Sequence, residues 1–164
     1  MLHIINILVD NHFGVLSRIT GLFSARGYNI ESLCVGITEE STISRMTVAV
    51  YGDDSIVDQI IHQLNKLVEV IDVNDLTCDK HVERELVLAR LSTKRSKRSD
   101  LLEVVSIFRA KVVDVSNEAI IIEATGSTEK MRAFIDMIRP YGIEQLARTG
   151  LIALARSNNT SNSQ

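Results

Sequence analysis

The first 76 residues alternate between two-residue and 3.6-residue hydrophobic periods, in an order that leaves few folds open. Residues 2–9 are apolar on both faces, the pattern of a central strand. Val15, Leu16, Ile19, Leu22 and Phe23 then fall on one stripe of a helix, with Arg18 and Arg26 off it. Gly27 is placed to end that helix as a C-cap. Residues 30–38 form a second strand, and Glu39-Glu40-Ser41-Thr42 a turn. Residues 43–50 form a third strand, with Met46, Val48 and Val50 on one face and Arg45 and Thr47 on the other. Gly52-Asp53-Asp54-Ser55 caps a second helix with the stripe Ile56, Val57, Ile60, Ile61, Leu64 and Leu67. Residues 68–76 close the set as a fourth strand. Right-handed crossovers turn β-α-β-β-α-β into an antiparallel sheet ordered 4-1-3-2 with both helices on one face, the α+β arrangement called ferredoxin-like.

That topology puts the second strand at an edge. It offers the small residues Ser32, Cys34 and Gly36 and a single charge, Glu31. An edge so weakly defended invites pairing with another chain. One face of the sheet also lacks helices, and the two features together predict a side-by-side dimer through the second strand.

The pattern repeats after a junction at residues 77–83 that has no Pro or Gly run. Residues 85–91 form a strand, 92–99 a polar and basic connection, and Leu101, Leu102, Val104, Val105 and Phe108 a helix stripe. Two strands, 111–115 and 119–124, flank a Ser116-Asn117 turn. Gly126-Ser127-Thr128 opens a helix with the stripe Met131, Phe134, Ile135 and Ile138, ended by Pro140 and Gly142. Residues 143–148 and 151–155 are expected to complete the second unit. The expected organisation is therefore two ferredoxin-like domains in tandem, 1–79 and 80–156, followed by a polar, disordered tail at 157–164. Charge divides along the same line. Residues 1–79 hold four Lys/Arg against eleven Asp/Glu, and residues 80–164 hold fourteen against ten, giving −7 and +4 within a net −3.

Several function classes fall away. With aromatic residues at 4%, no Trp and a net acidic chain, base stacking and nucleic-acid binding are poorly supported. The one basic cluster, Lys94-Arg95-Ser96-Lys97-Arg98, reads first as a solvated loop. No phosphate-binding loop, dinucleotide fingerprint, zinc-helix motif or nucleophile elbow occurs. His3, His12, His62 and His81 have no ligand spacing. Cys34 and Cys78 match no metal or redox pattern and read as buried free thiols of a reducing compartment. With no signal peptide and no long apolar run, a cytoplasmic protein is expected, without a membrane partner. A binding module is what remains.

The candidate site is the turn after the first strand. Asp10-Asn11-His12-Phe13-Gly14 leads into a helix whose first N–H groups lack intrahelical partners and face outward with the positive end of the helix dipole. Such a start suits a carboxylate or phosphate. Gly14 admits a ligand close to the backbone, and Asn11 brings both an amide donor and an acceptor. The competing reading is a plain helix start, with Asn11 as N-cap and Gly14 easing the turn. Local pattern alone leaves both open.

The runs Asn11-His12-Phe13-Gly14-Val15-Leu16-Ser17-Arg18, Gly21-Leu22-Phe23-Ser24-Ala25-Arg26-Gly27-Tyr28-Asn29-Ile30-Glu31-Ser32-Leu33 and Ser44-Arg45-Met46-Thr47 closely resemble the regulatory (small) subunits of acetolactate synthase. His81-Val82-Glu83-Arg84-Glu85-Leu86 is similar to the start of that family's second domain. The resemblance spans residues 2–156, and departs from the family pattern at Phe13, Cys34 and Gly36-Ile37. It implies that the first half is an ACT domain, an amino-acid-sensing module that dimerises and binds valine at the dimer interface. It also implies a non-catalytic chain that activates a separate catalytic subunit and confers feedback inhibition in branched-chain amino acid biosynthesis. Thiamine diphosphate, Mg²⁺ and FAD would belong to that catalytic subunit, with no cofactor in this chain. By position, Asn11, Gly14, Val15 and Leu16 match the family's effector loop, and Asn29 and Ile30 match the strand entry facing it from the other protomer. The alternatives are a free-standing ACT-type regulator of a transcription factor or RNA and, more remotely, a small amino-acid-metabolising enzyme.

Overall fold

A computed structural model describes residues 1–92 and 98–157. The chain divides into two compact units, Met1–Val82 with the segment from Leu151 onward, and Glu83–Gly150.

The first unit runs β1 (Leu2–Asp10), α1 (Val15–Ala25), β2 (Ile30–Ile37), β3 (Ile43–Tyr51), α2 (Asp54–Leu64) and β4 (Val70–Asp75). Its antiparallel sheet has the order β2-β3-β1-β4, the expected ferredoxin-like arrangement. Alternation sorts the two faces. Ile5, Ile7 and Val9 of β1 and Met46, Val48 and Val50 of β3 point to the helices and meet Val15, Ile19 and Phe23 of α1 and Val57, Ile60 and Leu64 of α2. The end of α1 shows why Gly27 stands where it does. Gly27 lies at φ +71°, its N–H donates to the Ser24 carbonyl (3.1 Å) and the Tyr28 N–H to that of Phe23 (3.0 Å). This is the paired closure that a left-handed residue after a helix permits.

The structure departs from the sequence pattern in several places. The fourth strand is shorter than residues 68–76, because α2 ends at Leu64 and a turn leaves Val68 almost wholly exposed before β4 begins. Leu67, expected on the helix stripe, packs on the core from that turn instead. The helix-free face is not open. Residues 151–155, expected to complete the second unit, also pack on the first, with which the segment from Leu151 onward forms one compact body. There Leu151 and Ala153 bury Ile4 and Leu76. The Asn6 amide donates to the Ala153 carbonyl (2.9 Å), and the Leu151 N–H to Ser32 Oγ (3.3 Å). The physical reason is that Ile4, Thr47 and Ala49 make this face apolar enough to need a cover, and Leu151 and Ala153, both buried, supply one. The outer side of β2 has no described strand against it, and Val35 and Ile37 on it are exposed.

The second unit contains β5 (His81–Ser92, shared at its start with the first unit), α3 (Arg98–Ile107), β6 (Lys111–Val115), β7 (Ala119–Gly126), α4 (Thr128–Ile138) and β8 (Ile143–Arg148). The sheet order β6-β7-β5-β8 repeats the 4-1-3-2 plan. Val87, Ala89, Leu91, Ile120, Ile122 and Ala124 meet Leu101, Val104, Met131 and Phe134 in its core. Phe108 packs edge-on against Phe134, with ring centroids 5.4 Å apart. Leu102, placed on the α3 stripe from sequence, is exposed. A 3-10 turn at Arg139–Tyr141 and Gly142 at φ +86° end α4. A last strand, β9 (Ile152–Ala155), pairs with β5, and the Arg156 N–H donates to the Lys80 carbonyl (2.8 Å). Residues 94–97 of the basic cluster and 158–164 of the tail lie outside the described residues, whereas Arg98 donates to the Ser116 carbonyl (2.5 Å).

Candidate functional site

The turn between β1 and α1 is built by backbone geometry rather than by side-chain capping. β1 ends where the Asn11 N–H donates to the Thr42 carbonyl (2.7 Å), and the Asn11 side-chain amide donates to the Ser41 carbonyl (2.8 Å). That side chain is thereby tied to the β2–β3 turn and does not cap α1, so the plain N-cap reading is not what the chain adopts. Gly14 takes the N-cap position at φ +89°, ψ −14°, with no side chain bonded to the helix start. The left-handed conformation is the reason for glycine here; a Cβ would meet nothing within 4 Å, so space alone would admit a side chain.

The start of α1 is consequently bare. The Val15 N–H reaches the His12 carbonyl only at 3.5 Å, and the first well-formed helical bond is Arg18 N–H to the Gly14 carbonyl at 3.0 Å. No acidic residue lies in the first turn. The contrast with other helices is direct. At α2 the Asp53 carboxylate accepts from the Ile56 N–H (2.9 Å) and the Ser55 hydroxyl (2.7 Å), and Asp54 follows in the first turn. The Ser55 hydroxyl, then the Ile56 N–H, hold the Asp53 carboxyl below the usual carboxylate range. At α4, Ser127 Oγ accepts from the Lys130 N–H (3.3 Å) and Glu129 follows.

The remaining candidates are placed as follows. Val15 is buried in the core, so only its backbone faces the turn. Leu16 is half exposed on the outer side of α1, and Phe13 is fully exposed beside it. Asn29 is exposed, and Ile30, the first residue of β2, is partly buried against the core. The structure brings Asn11, Gly14, Val15 and Leu16 together in one turn. It puts Asn29 and Ile30 at the other end of the sheet, since Ile30 pairs with Val50 while the Asn11 turn lies by Ser41 and Thr42. One chain alone does not assemble the six.

Other titratable groups among the described residues form no competing centre. His3 is 2% exposed, with Nδ1 3.5 Å from the Asp75 carboxylate and Nε2 3.7 Å from that of Asp54. His12 and His62 are exposed, and His81 Nδ1 lies 2.8 Å from the Asp79 carbonyl. No group of three or more His, Cys, Asp or Glu able to hold a metal occurs among the described residues. Both cysteines are free, but the expectation that they are buried fails: Cys78 is exposed in the turn after β4, and Cys34 is half-buried on the edge strand. No helix among the described residues is long and apolar enough to cross a membrane.

Comparison with known proteins matches both units. Residues 5–72 match the family model of the AHAS small subunit-like ACT domain, and residues 84–157 that of the small subunit of acetolactate synthase. An Archaeoglobus fulgidus protein described as "Probable acetolactate synthase small subunit" is 53% identical over 96% of this chain and 99% of its own length. The acetolactate synthase small subunit of Aquifex aeolicus is 48% identical over 94% of this chain and 81% of its own. The crystal structure of the small subunit from Thermotoga maritima superposes with a TM-score of 0.90 at 39% identity, covering 96% of this chain and 99% of that one. Identity at this level over nearly the whole chain, on a shared fold, settles the family: the chain belongs to the small, regulatory subunits of acetolactate synthase.

Proposed function

We propose that the chain is a valine sensor that works as a dimer on the catalytic subunit of acetolactate synthase, with the effector held at the bare start of α1. The observation that carries the reading is the absence of any cap or first-turn acid at α1. A carboxylate placed there accepts from the free N–H groups near Gly14, Val15 and Leu16 and meets the positive end of the helix dipole. The ammonium pairs with amide oxygens of Asn11 or Asn29, and the isopropyl group packs on Leu16 and Ile30.

The separation of Asn29 and Ile30 from the turn supports a dimeric site. The open edge of β2 runs from Ile30 to Ile37, whose neighbour Thr38 bonds to Ile43 beside the turn. Antiparallel pairing of β2 with β2 of a second copy, centred near Cys34, carries the Ile30 end of one strand to the Ile37 end of the other. Asn29 and Ile30 of the second copy then stand next to the first copy's Asn11–Gly14 turn. The two domains divide the work: residues 1–79 hold the dimer and the effector, and residues 80–156 tune the response of the partner. Turnover from pyruvate, with thiamine diphosphate, Mg²⁺ and FAD, is the catalytic subunit's, in the cytoplasm.

Reconstitution tests this. Adding the chain to the catalytic subunit is expected to raise acetolactate formation, and valine to lower it again. Gly36→Asp, which sets like charges near the strand axis, is expected to shift the chain toward monomer and to weaken valine inhibition with it. Activation without any valine response, or a parent chain that sediments as a monomer at micromolar concentration, would contradict the reading.

A further inference from the structure

The second unit has an unpaired edge strand of its own, β6. All five residues of β6 are exposed, and no described strand lies on its outer side. Val112, Val113 and Val115 are 38%, 51% and 56% exposed. A register shift between Val112 and Asp114 makes Val113 an extra residue. Lys111 stands opposite Glu123 and Asp114 opposite Ile121, whereas Val112 and Val115 stand opposite the core residues Ile122 and Ile120. The bulge therefore sets Lys111 and Asp114, three residues apart, on the same face of the sheet, the one away from the core. No ion pair joins either of them to another described residue, Glu123 included.

The β4 and β8 edges are guarded differently. β4 carries Asp72 and Asp75, of one sign. On β8, Glu144 is paired with Arg90 (3.1 Å) and Arg148 with the buried Glu85 (2.5 Å), both within the unit's own sheet. Like charges on an edge resist self-pairing, and charges already paired offer it nothing. β6 has one charge of each sign, and the sequence Lys-Val-Val-Asp read in reverse presents the opposite charge at each end.

We propose that β6 is a second self-association surface, pairing antiparallel with β6 of another copy so that Lys111 stands opposite Asp114 and Val112 opposite Val113. The two-fold axis duplicates every pair, giving two Lys–Asp contacts on one face and a cluster of four valines on the other. Oppositely charged cross-strand neighbours favour such a register, and like charges oppose it. The occupant is a second copy because the strand is complementary to itself in charge and in apolar pattern. So short a strand pair buries less than a stable interface does, so the contact forms at high protein concentration or between chains already joined elsewhere.

Sedimentation equilibrium of the full chain up to the millimolar range tests it, with each variant measured also in a Gly36→Asp background so that pairing through β2 is scored separately. Lys111→Asp and Asp114→Lys each place like charges opposite one another twice and are expected to weaken association about tenfold. The double variant K111D/D114K restores opposite charges and is expected to return to within about threefold of the parent. Val113→Lys, which sets two lysines beside the axis, is expected to weaken association without touching the ion pairs. Single variants and Val113→Lys that sediment like the parent would overturn the proposal. So would a double variant as weak as the singles, since the charges would then not face each other.

Discussion

The helices α1 and α2 lie on the same face of one sheet, have eleven residues each and pack on the same core, yet they begin in opposite ways. At α2 the Asp53 side chain accepts from the Ile56 N–H and Asp54 meets the dipole. At α1 a left-handed glycine turns the chain, the neighbouring asparagine is tied elsewhere, and no acid follows. A helix that only has to be stable gains from a cap. A helix that begins bare keeps its N-terminal charge for a ligand, and its own stability rests on Val15, Ile19 and Phe23 in the core. On the proposed function, a small carboxylate binds at the uncapped start and not at the capped one.

The largest expected effect is on the response to valine. Gly14→Asp fills the α1 start with a carboxylate of its own and repels the effector's. Loss of one charge-assisted hydrogen bond costs roughly 1.5–3 kcal/mol, about tenfold or more in affinity. The half-inhibiting valine concentration of the reconstituted enzyme should rise by at least that factor, with activation retained. Gly14→Asn separates charge from backbone strain, since asparagine tolerates the left-handed conformation as aspartate does; it should raise the concentration less. Asp53→Ala should leave it unchanged.

Stability should divide the other way. Asp53→Ala removes the α2 cap and is expected to lower the thermal midpoint by a few degrees. Gly14→Ala removes no side-chain cap, so its cost is the left-handed strain, about 1 kcal/mol. Thermal unfolding followed by circular dichroism checks both. Should Asp53→Ala also raise the half-inhibiting valine concentration, the two helix starts would not differ in role.

The smallest effect is in acid. The Asp53 carboxyl is held below its ordinary value, so its contribution to stability is fully present above the unfolded carboxylate range, near about pH 4. It is lost as pH falls through the lower, folded value. Across that window the parent should lose slightly more stability than Asp53→Ala. Identical acid-unfolding curves would mean that the Asp53 bonds do not persist in solution.

Much of this was legible beforehand. The alternation of periods determined strand order and core, because Ile5, Ile7, Met46 and Val48 must share a face whatever the turns do. Asp53, Ser127 and Gly27 declared themselves because capping chemistry is local. What could not be read was non-local. Nothing near Leu151 says that it packs with Ile4 and Leu76, which lie far away in sequence. Asn11 is a good N-cap by composition and loses that role to the Ser41 carbonyl, thirty residues on. The β6 bulge reverses the side on which Asp114 falls, and strict alternation would have put Lys111 and Asp114 on opposite faces. Asn11 and Gly14 of the proposed effector site were suggested by the helix start itself, whereas Asn29 and Ile30 came only from family resemblance, since nothing local marks them.

A valine titration of the isotopically labelled chain, followed through its backbone amide resonances, locates the effector most directly. The N–H groups of Gly14, Val15, Leu16 and Ser17 are expected to shift with valine, together with Asn29 and Ile30, while those of Asp54 to Val57 at the capped start of α2 stay in place. Shifts at the start of α2, or saturable binding that leaves Gly14 to Ser17 unmoved, would contradict it.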